Sequence, residues 1–310
     1  MIIRKEAYYG SNNGTSQIRA LIWTDDEISP VGVVQIAHGL AEHIGRYDEF
    51  ARFLASKGYV VCGNDHIGHG KTAECISDLG LCCEGDHVNM VRDMNTLHRI
   101  MAKRYPAVPY FIFGHSMGSL LARLYTQAFG DSLAGAVYCG TAQLPKQILM
   151  LDDPVQVLLS KLPENQSSAD AFGSLFGKFT GKIFGEKDPL AWLSKSETNR
   201  DTYRADPLCG FNMGTMLAKE LASLAVKVSR PDWAEKLPSG LKVLLISGAK
   251  DPIGFNGRGI LSVYDKLTAA GIETDLVLYP GDRHEILNED DRQRVYDDVA
   301  CFLEKAASDV

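Results

Sequence analysis

The chain has 310 residues, 45% of them hydrophobic and 23% charged, with a formal net charge of −7. That balance excludes a disordered or fibrous chain, and an acidic excess without a basic run leaves no electrostatic footprint for nucleic acid. No stretch approaches the roughly 20 uninterrupted apolar residues of a membrane span, and Met1 to Glu6 turns charged at once, so no secretory signal is expected.

In chain order, residues 2–9 and 17–23 read as two antiparallel strands joined by a Gly- and Asn-rich turn. Residues 31–37 form the near-continuous apolar run of a strand buried on both faces. The stretch 46–57 sets Phe50, Phe53 and Leu54 at helical spacing and stops at Gly58. A buried strand at 59–62 leads into the Gly-rich loop 65–70. A helix over 87–104 places Val91, Met94, Leu97 and Met101 on one face, followed by a strand at 108–113, a helix at 117–129 and a strand at 133–139. This alternation predicts an α/β fold with a mainly parallel sheet covered by helices on both faces. The rhythm breaks from Thr141 to about Gly214. It resumes with a strand at 241–247, a helix near 258–270, a strand at 274–279 and a last helix over 289–305. One α/β domain, 1–140 and 215–310, is therefore expected to be interrupted by an insertion, 141–214.

The seven cysteines, at 62, 75, 82, 83, 139, 209 and 301, are odd in number and form no Cys-x-x-Cys pair. Reduced thiols and a cytoplasmic location follow as expectations. His66, His69, Cys75, Cys82, Cys83 and His87 crowd into one stretch, but their spacing lacks the paired gaps of a zinc site. No P-loop and no dinucleotide fingerprint occurs. Neither a metal nor a cofactor is expected.

Gly114-His115-Ser116-Met117-Gly118 matches G-x-S-x-G, lies directly after a strand and opens a helix. That context marks a nucleophile elbow, in which the serine sits on a strained turn. A serine hydroxyl needs a base. His284, after the last strand, would share the sheet edge of Ser116, where α/β sheets bind ligands. Asp251, after the preceding strand, would orient it. The order Ser116, Asp251, His284 is the chain order of the α/β-hydrolase triad. Asp275 lies within a strand and Asp282 too close to the histidine, and Asp282 is expected to cap its loop. The oxyanion would be held by the backbone amides of Leu40, in the loop after the third strand, and Met117.

The segments 38–47, 64–72 and 114–118, with Asp251-Pro and His284-Glu, resemble the monoacylglycerol lipase and lysophospholipase branch of the α/β-hydrolases, often labelled serine aminopeptidase-like. The resemblance spans about 1–140 and 215–305. It implies an α/β-hydrolase fold of eight mostly parallel strands with an inserted helical cap, or lid, and the same triad and amides. Ile67 stands where many relatives carry Arg, which removes that local partner for Asp65.

In the insertion, Ile148, Leu151, Val155, Leu158, Leu159 and Leu162 recur at helical spacing, and Phe172, Phe176, Phe179 and Phe184 follow. Most would pack the cap onto the core. Leu151, Leu158, Phe176 and Phe179, together with His38, Gly39 and His115, are the candidates for contact with substrate. The expected activity is a cofactor-free serine carboxylic-ester hydrolase working through an acyl-enzyme on monoacylglycerols, lysophospholipids or smaller acyl esters, with at most transient contact with lipid aggregates. An aminopeptidase or amidase with the same triad is the alternative, and would need cap carboxylates such as Glu164, Asp170, Glu186 and Asp188 to bind an ammonium. A non-catalytic binding protein of this fold would be expected to lack a triad member, and none is missing.

Overall fold

Val33, Val34, Ile36 and Ala37 have essentially no solvent exposure, because the strand that carries them, β3 (Gly32–Ala37), lies near the middle of a sheet. The computed structural model describes residues 1–159 and 185–308. Within these, β1 (Ile2–Gly10), β2 (Gln17–Asp25), β3, β4 (Tyr59–Asn64), β5 (Tyr110–His115), β6 (Gly135–Cys139), β7 (Lys242–Gly248) and β8 (Glu273–Tyr279) form one eight-stranded sheet. Its order is β1-β2-β4-β3-β5-β6-β7-β8. β1 pairs antiparallel with β2 and β2 antiparallel with β4; the remaining pairs are parallel.

The period of two sorts each strand's side chains between two cores. Tyr110 and Ile112 of β5 join one, Phe111 and Phe113 the other. The first face is covered by α2 (Asp86–Arg104), α3 (Met117–Phe129), α7 (Thr215–Ser229) and α8 (Arg258–Ala269). The second is covered by α1 (Asp48–Ser56) and α9 (Gln293–Ala307), which bring Phe50, Leu54, Val295, Tyr296 and Leu303 against the sheet. Each such buried side chain contributes roughly 1.5–3 kcal/mol. Gln35, the polar residue of β3, has its amide satisfied by Met94 O at 2.9 Å and Tyr110 Oη at 2.6 Å. Among the described residues, three short helices, α4 (Lys146–Leu149), α5 (Pro154–Leu159) and α6 (Glu197–Ala205), lie between β6 and α7. No helix among the described residues is long and apolar enough to cross a membrane.

The structure departs from the sequence reading at two places that have a physical reason. The last helix starts at Gln293 rather than 289, because Glu289 turns inward to accept Ser194 Oγ and the amides of Lys195, Ser196 and Arg283. Helix α7 fills a stretch with no assignment from sequence, and packs on α2, α3 and α5.

Arg123 of α3 is fully buried, and its guanidinium stacks over Trp233 at 4.2 Å. It donates to Ala142 O at 2.8 Å, Gln143 Oε1 at 3.1 Å and Val228 O at 2.5 Å. No carboxylate accepts from it among the described residues, and burial pushes its pKa down to about 9.

Candidate active site

Strand β5 delivers Ser116 to the first turn of α3 with φ 54 and ψ −121, a region in which a residue with a Cβ is strained. The close approach of strand and helix explains the flanking glycines. A Cβ on Gly118 would stand 2.0 Å from Ala37 O, and one on Gly114 would stand 2.3 Å from Gly118 O. The Ser116 amide is tied to Cys139 O at 3.0 Å, which locks the elbow to β6.

Asp251 follows β7 and His284 follows β8. His284 Nδ1 meets Asp251 Oδ2 at 2.9 Å, with both side chains buried. Asp251 Oδ1 accepts the amide of Ile253 at 2.9 Å, so the carboxylate is held in place. With Nδ1–H facing the carboxylate, Nε2 is left as the acceptor. Ser116 and His284 both line a cavity of about 270 Å³. No hydrogen bond joins their side chains in this conformation, and such bonds often tighten only around substrate. Trp192 covers His284, ring centroids 5.4 Å apart.

Gly39, Leu40 and His115 line the same cavity. The amides of Leu40 and Met117 have no acceptor among the described residues. The remaining candidates among the described residues lie elsewhere. His38 is not a lining residue: it is wholly buried, its Nε2 accepting the amide of His66 at 3.0 Å. Leu158 packs into the core against α7, and Leu151 is 41% exposed; neither lines the cavity. Phe176 and Phe179 lie outside the described residues, as do Leu162, Phe172 and Phe184.

The cavity floor holds a charge network that sequence reasoning missed. Arg46 is bound by Glu42, Oε2 at 2.7 Å, and by both oxygens of Glu285. Glu42 Oε1 also accepts the Gly39 amide at 2.5 Å and Tyr47 Oη at 2.8 Å. Asn199 Nδ2 donates to Glu285 at 2.7 Å. Burial pushes the Glu42 carboxyl up, but the hydrogen bond from His115 and the charge of Arg46 outweigh it and hold Glu42 well below the usual carboxylate range. In return Glu42 raises the His115 pKa against the effect of burial. The one sequence hint was Glu42 and Arg46 at i, i+4.

Behind the loop that carries Leu40, the rings of His38, His66 and His69 cluster at tilted angles, with centroids 4.2 Å apart for His38–His66 and 5.3 Å for His38–His69. Burial depresses all three, His69 to about 3. Beside them, Asp65 takes its partner from a distant strand: Arg19 Nη1 at 3.1 Å. Asp65 also accepts the amides of Ile44 and Lys71, each at 2.9 Å. Asp282 is buried between Lys195 and Arg294. Of the clustered thiols and histidines, Cys75 and Cys83 are exposed and His87 pairs with Glu220. His43, Asp206 and Cys209 bring potential metal-ligand atoms within 4.8 Å of one another. There His43 Nδ1 accepts the Gly45 amide, so Nε2 donates to Asp206 at 2.8 Å and both groups are satisfied without an ion.

Comparison with known proteins follows the same lines. A sequence profile described as "Serine aminopeptidase, S33" matches residues 28–291. The chain is 29% identical over 288 residues to a monoacylglycerol lipase of Mycolicibacterium smegmatis, covering 91% of each protein. It is 28% identical over 271 residues to a human monoglyceride lipase, covering 84% of this chain and 78% of that one. A thermostable carboxyl esterase from Bacillus coagulans, solved with glycerol, superposes with a TM-score of 0.87 at 32% identity, covering 98% of this chain and 99% of that one. The fold is that of an α/β-hydrolase.

Proposed function

This chain belongs to the serine aminopeptidase S33 family, and we propose that it is a serine carboxylic-ester hydrolase acting on small acyl esters, monoacylglycerols foremost. One observation carries the reading: a strained Ser116 and an Asp251-bound His284 share one cavity. Ser116 Oγ attacks the ester carbonyl carbon as His284 Nε2 takes its proton. The carbonyl oxygen, now anionic, lies between the amides of Leu40 and Met117, the second at the N-terminus of α3. Collapse breaks the C–O bond, and His284 returns the proton to the departing alcohol. Water repeats the cycle on the acyl-enzyme and releases the acid. Asp251 holds the tautomer and stabilises the imidazolium.

The relatives named as monoacylglycerol lipases support the glycerol ester. Against a peptide substrate stands the cost of binding its ammonium. Glu42 and Glu285 line the cavity but are both engaged by Arg46, and Glu186 and Asp188 are engaged by Arg283, Arg200 and Arg204. Glu164 and Asp170 lie outside the described residues. The segment 141–214 acts in this reading as a cap, since Pro189, Leu190, Trp192, Leu193 and Tyr203 wall the cavity. The seven unbridged thiols of the chain support a cytoplasmic setting. The test is a panel of p-nitrophenyl esters and monoacylglycerols set against aminoacyl p-nitroanilides, with Ser116→Ala as control. Ester turnover that survives in the alanine variant, or a preference for the anilides, would sink the reading.

A further inference from the structure

Ala41 follows Leu40 in the loop that would carry one oxyanion donor, and its backbone is left-handed, φ 54. A residue with a Cβ keeps that conformation only where its surroundings over-determine it. The hold is applied at its carbonyl. Ala41 O accepts Tyr203 Oη–H at 2.9 Å and the Gly210 amide at 2.9 Å. The Gly210 amide also reaches Tyr203 Oη at 3.2 Å, which closes a three-membered set. Neither donor comes from the sheet or its helices; both belong to the segment between β6 and α7.

Tyr203 is itself firmly placed. It is 8% exposed on α6, and its ring lies under the guanidinium of Arg46, 4.9 Å from centroid to Cζ. Arg46 holds Glu42, and Glu42 holds the Gly39 amide. The backbone is thus pinned on both sides of the Leu40 amide, at residue 39 by a core carboxylate and at residue 41 by a phenol from the insertion. We propose that Tyr203 is a positioning residue for the oxyanion loop: its hydroxyl fixes the Ala41 carbonyl and thereby aims the Leu40 N–H. The hole is then complete only with the insertion docked. A docked segment and a formed hole are one event, because a hydrogen bond to a strained carbonyl is lost when its donor moves away. This rests on the ester-hydrolase reading and adds the group that couples cap to chemistry.

Tyr203→Phe keeps the ring beneath Arg46 and removes only the hydroxyl. The probe substrate is p-nitrophenyl acetate, which carries no glycerol for a tyrosine to bind. The variant is expected to lose about 10-fold in kcat with KM within twofold of the parent. Affinity for a trifluoromethyl ketone, whose hemiketal oxygen occupies the hole, is expected to fall by a similar factor. Ala41→Gly takes φ 54 without strain, so the Tyr203→Phe loss is expected to shrink in that background. Unchanged kcat on the acetate overturns the proposal. So does a rise in KM alone, which would mark a substrate contact, an equal loss in both backgrounds, or a variant that circular dichroism shows unfolded. A parent enzyme that does not hydrolyse the acetate at all refutes the ester-hydrolase reading instead.

Discussion

Arg46 and Glu285 stand 239 positions apart in sequence, and both guanidinium Nη atoms rest on the one carboxylate. The pair ties the turn before α1 to the loop that carries His284. Because Glu42 shares the same guanidinium, one cation answers two buried anions. A buried carboxylate left without its partner is far costlier than a missing surface ion pair. Arg46→Met is therefore expected to destabilise the protein by about 3–5 kcal/mol, read from urea unfolding at pH 7. A loss under about 1 kcal/mol would show that the carboxylates find other partners.

The backbone at Ser116 supplies a second expectation. At φ 54 and ψ −121 a serine pays strain that a glycine avoids. Ser116→Gly should raise the unfolding free energy by about 1 kcal/mol while lowering kcat on the order of 10⁶. Urea titration and an ester assay on one preparation check both halves. A destabilised glycine variant would mean that the elbow is relaxed.

Asp251 should act on rate far more than on binding. Asp251→Asn keeps the shape beside His284 but no longer favours the tautomer with Nδ1–H, and kcat is expected to fall by about 10⁴ with KM little changed. Steady-state kinetics on a p-nitrophenyl ester decide it. A loss below tenfold would remove Asp251 from its role.

The buried histidine cluster predicts acid lability. Burial lowers His69 from an ordinary 6.5 to about 3. Between those values the unfolded chain binds a proton that the folded chain refuses, so stability falls as pH drops through this window. The slope from this residue alone is about 1.4 kcal/mol per pH unit. Unfolding free energy should be lower at pH 5 than at pH 7 by about 2 kcal/mol or more, with His66 adding in the same direction. His69→Gln should flatten that slope; an identical slope in the variant would place the acid sensitivity elsewhere.

What could be read from sequence was whatever the backbone itself dictates. Gly114 and Gly118 exist because strand and helix nearly touch, and the places of Asp251 and His284 after β7 and β8 follow from strand order. The sheet was legible for the same reason, since period and burial are local properties. Side-chain direction was not. His38 adjoins a cavity-lining glycine, yet its ring turns to the core, and a helical stripe containing Leu158 does not say which neighbour it meets. Partners remote in sequence were out of reach altogether: Arg19 for Asp65, Glu285 for Arg46, Tyr203 for Ala41. Ile67 seemed to strip Asp65 of a local partner, whereas β2 supplied one.

Arg123 has a consequence for how such a protein diversifies. It grips the outgoing chain at Ala142 and Gln143 and the returning chain at Val228, using one cation against neutral oxygens. The two ends are thereby fixed to α3 whatever passes between them, and lengthening a loop whose ends are fixed costs only about 0.6 kcal/mol per doubling. The intervening stretch can lengthen or be exchanged at little cost so long as its replacement still brings a donor to the Ala41 carbonyl. Selection for a new substrate has there a socket ready to receive a different part.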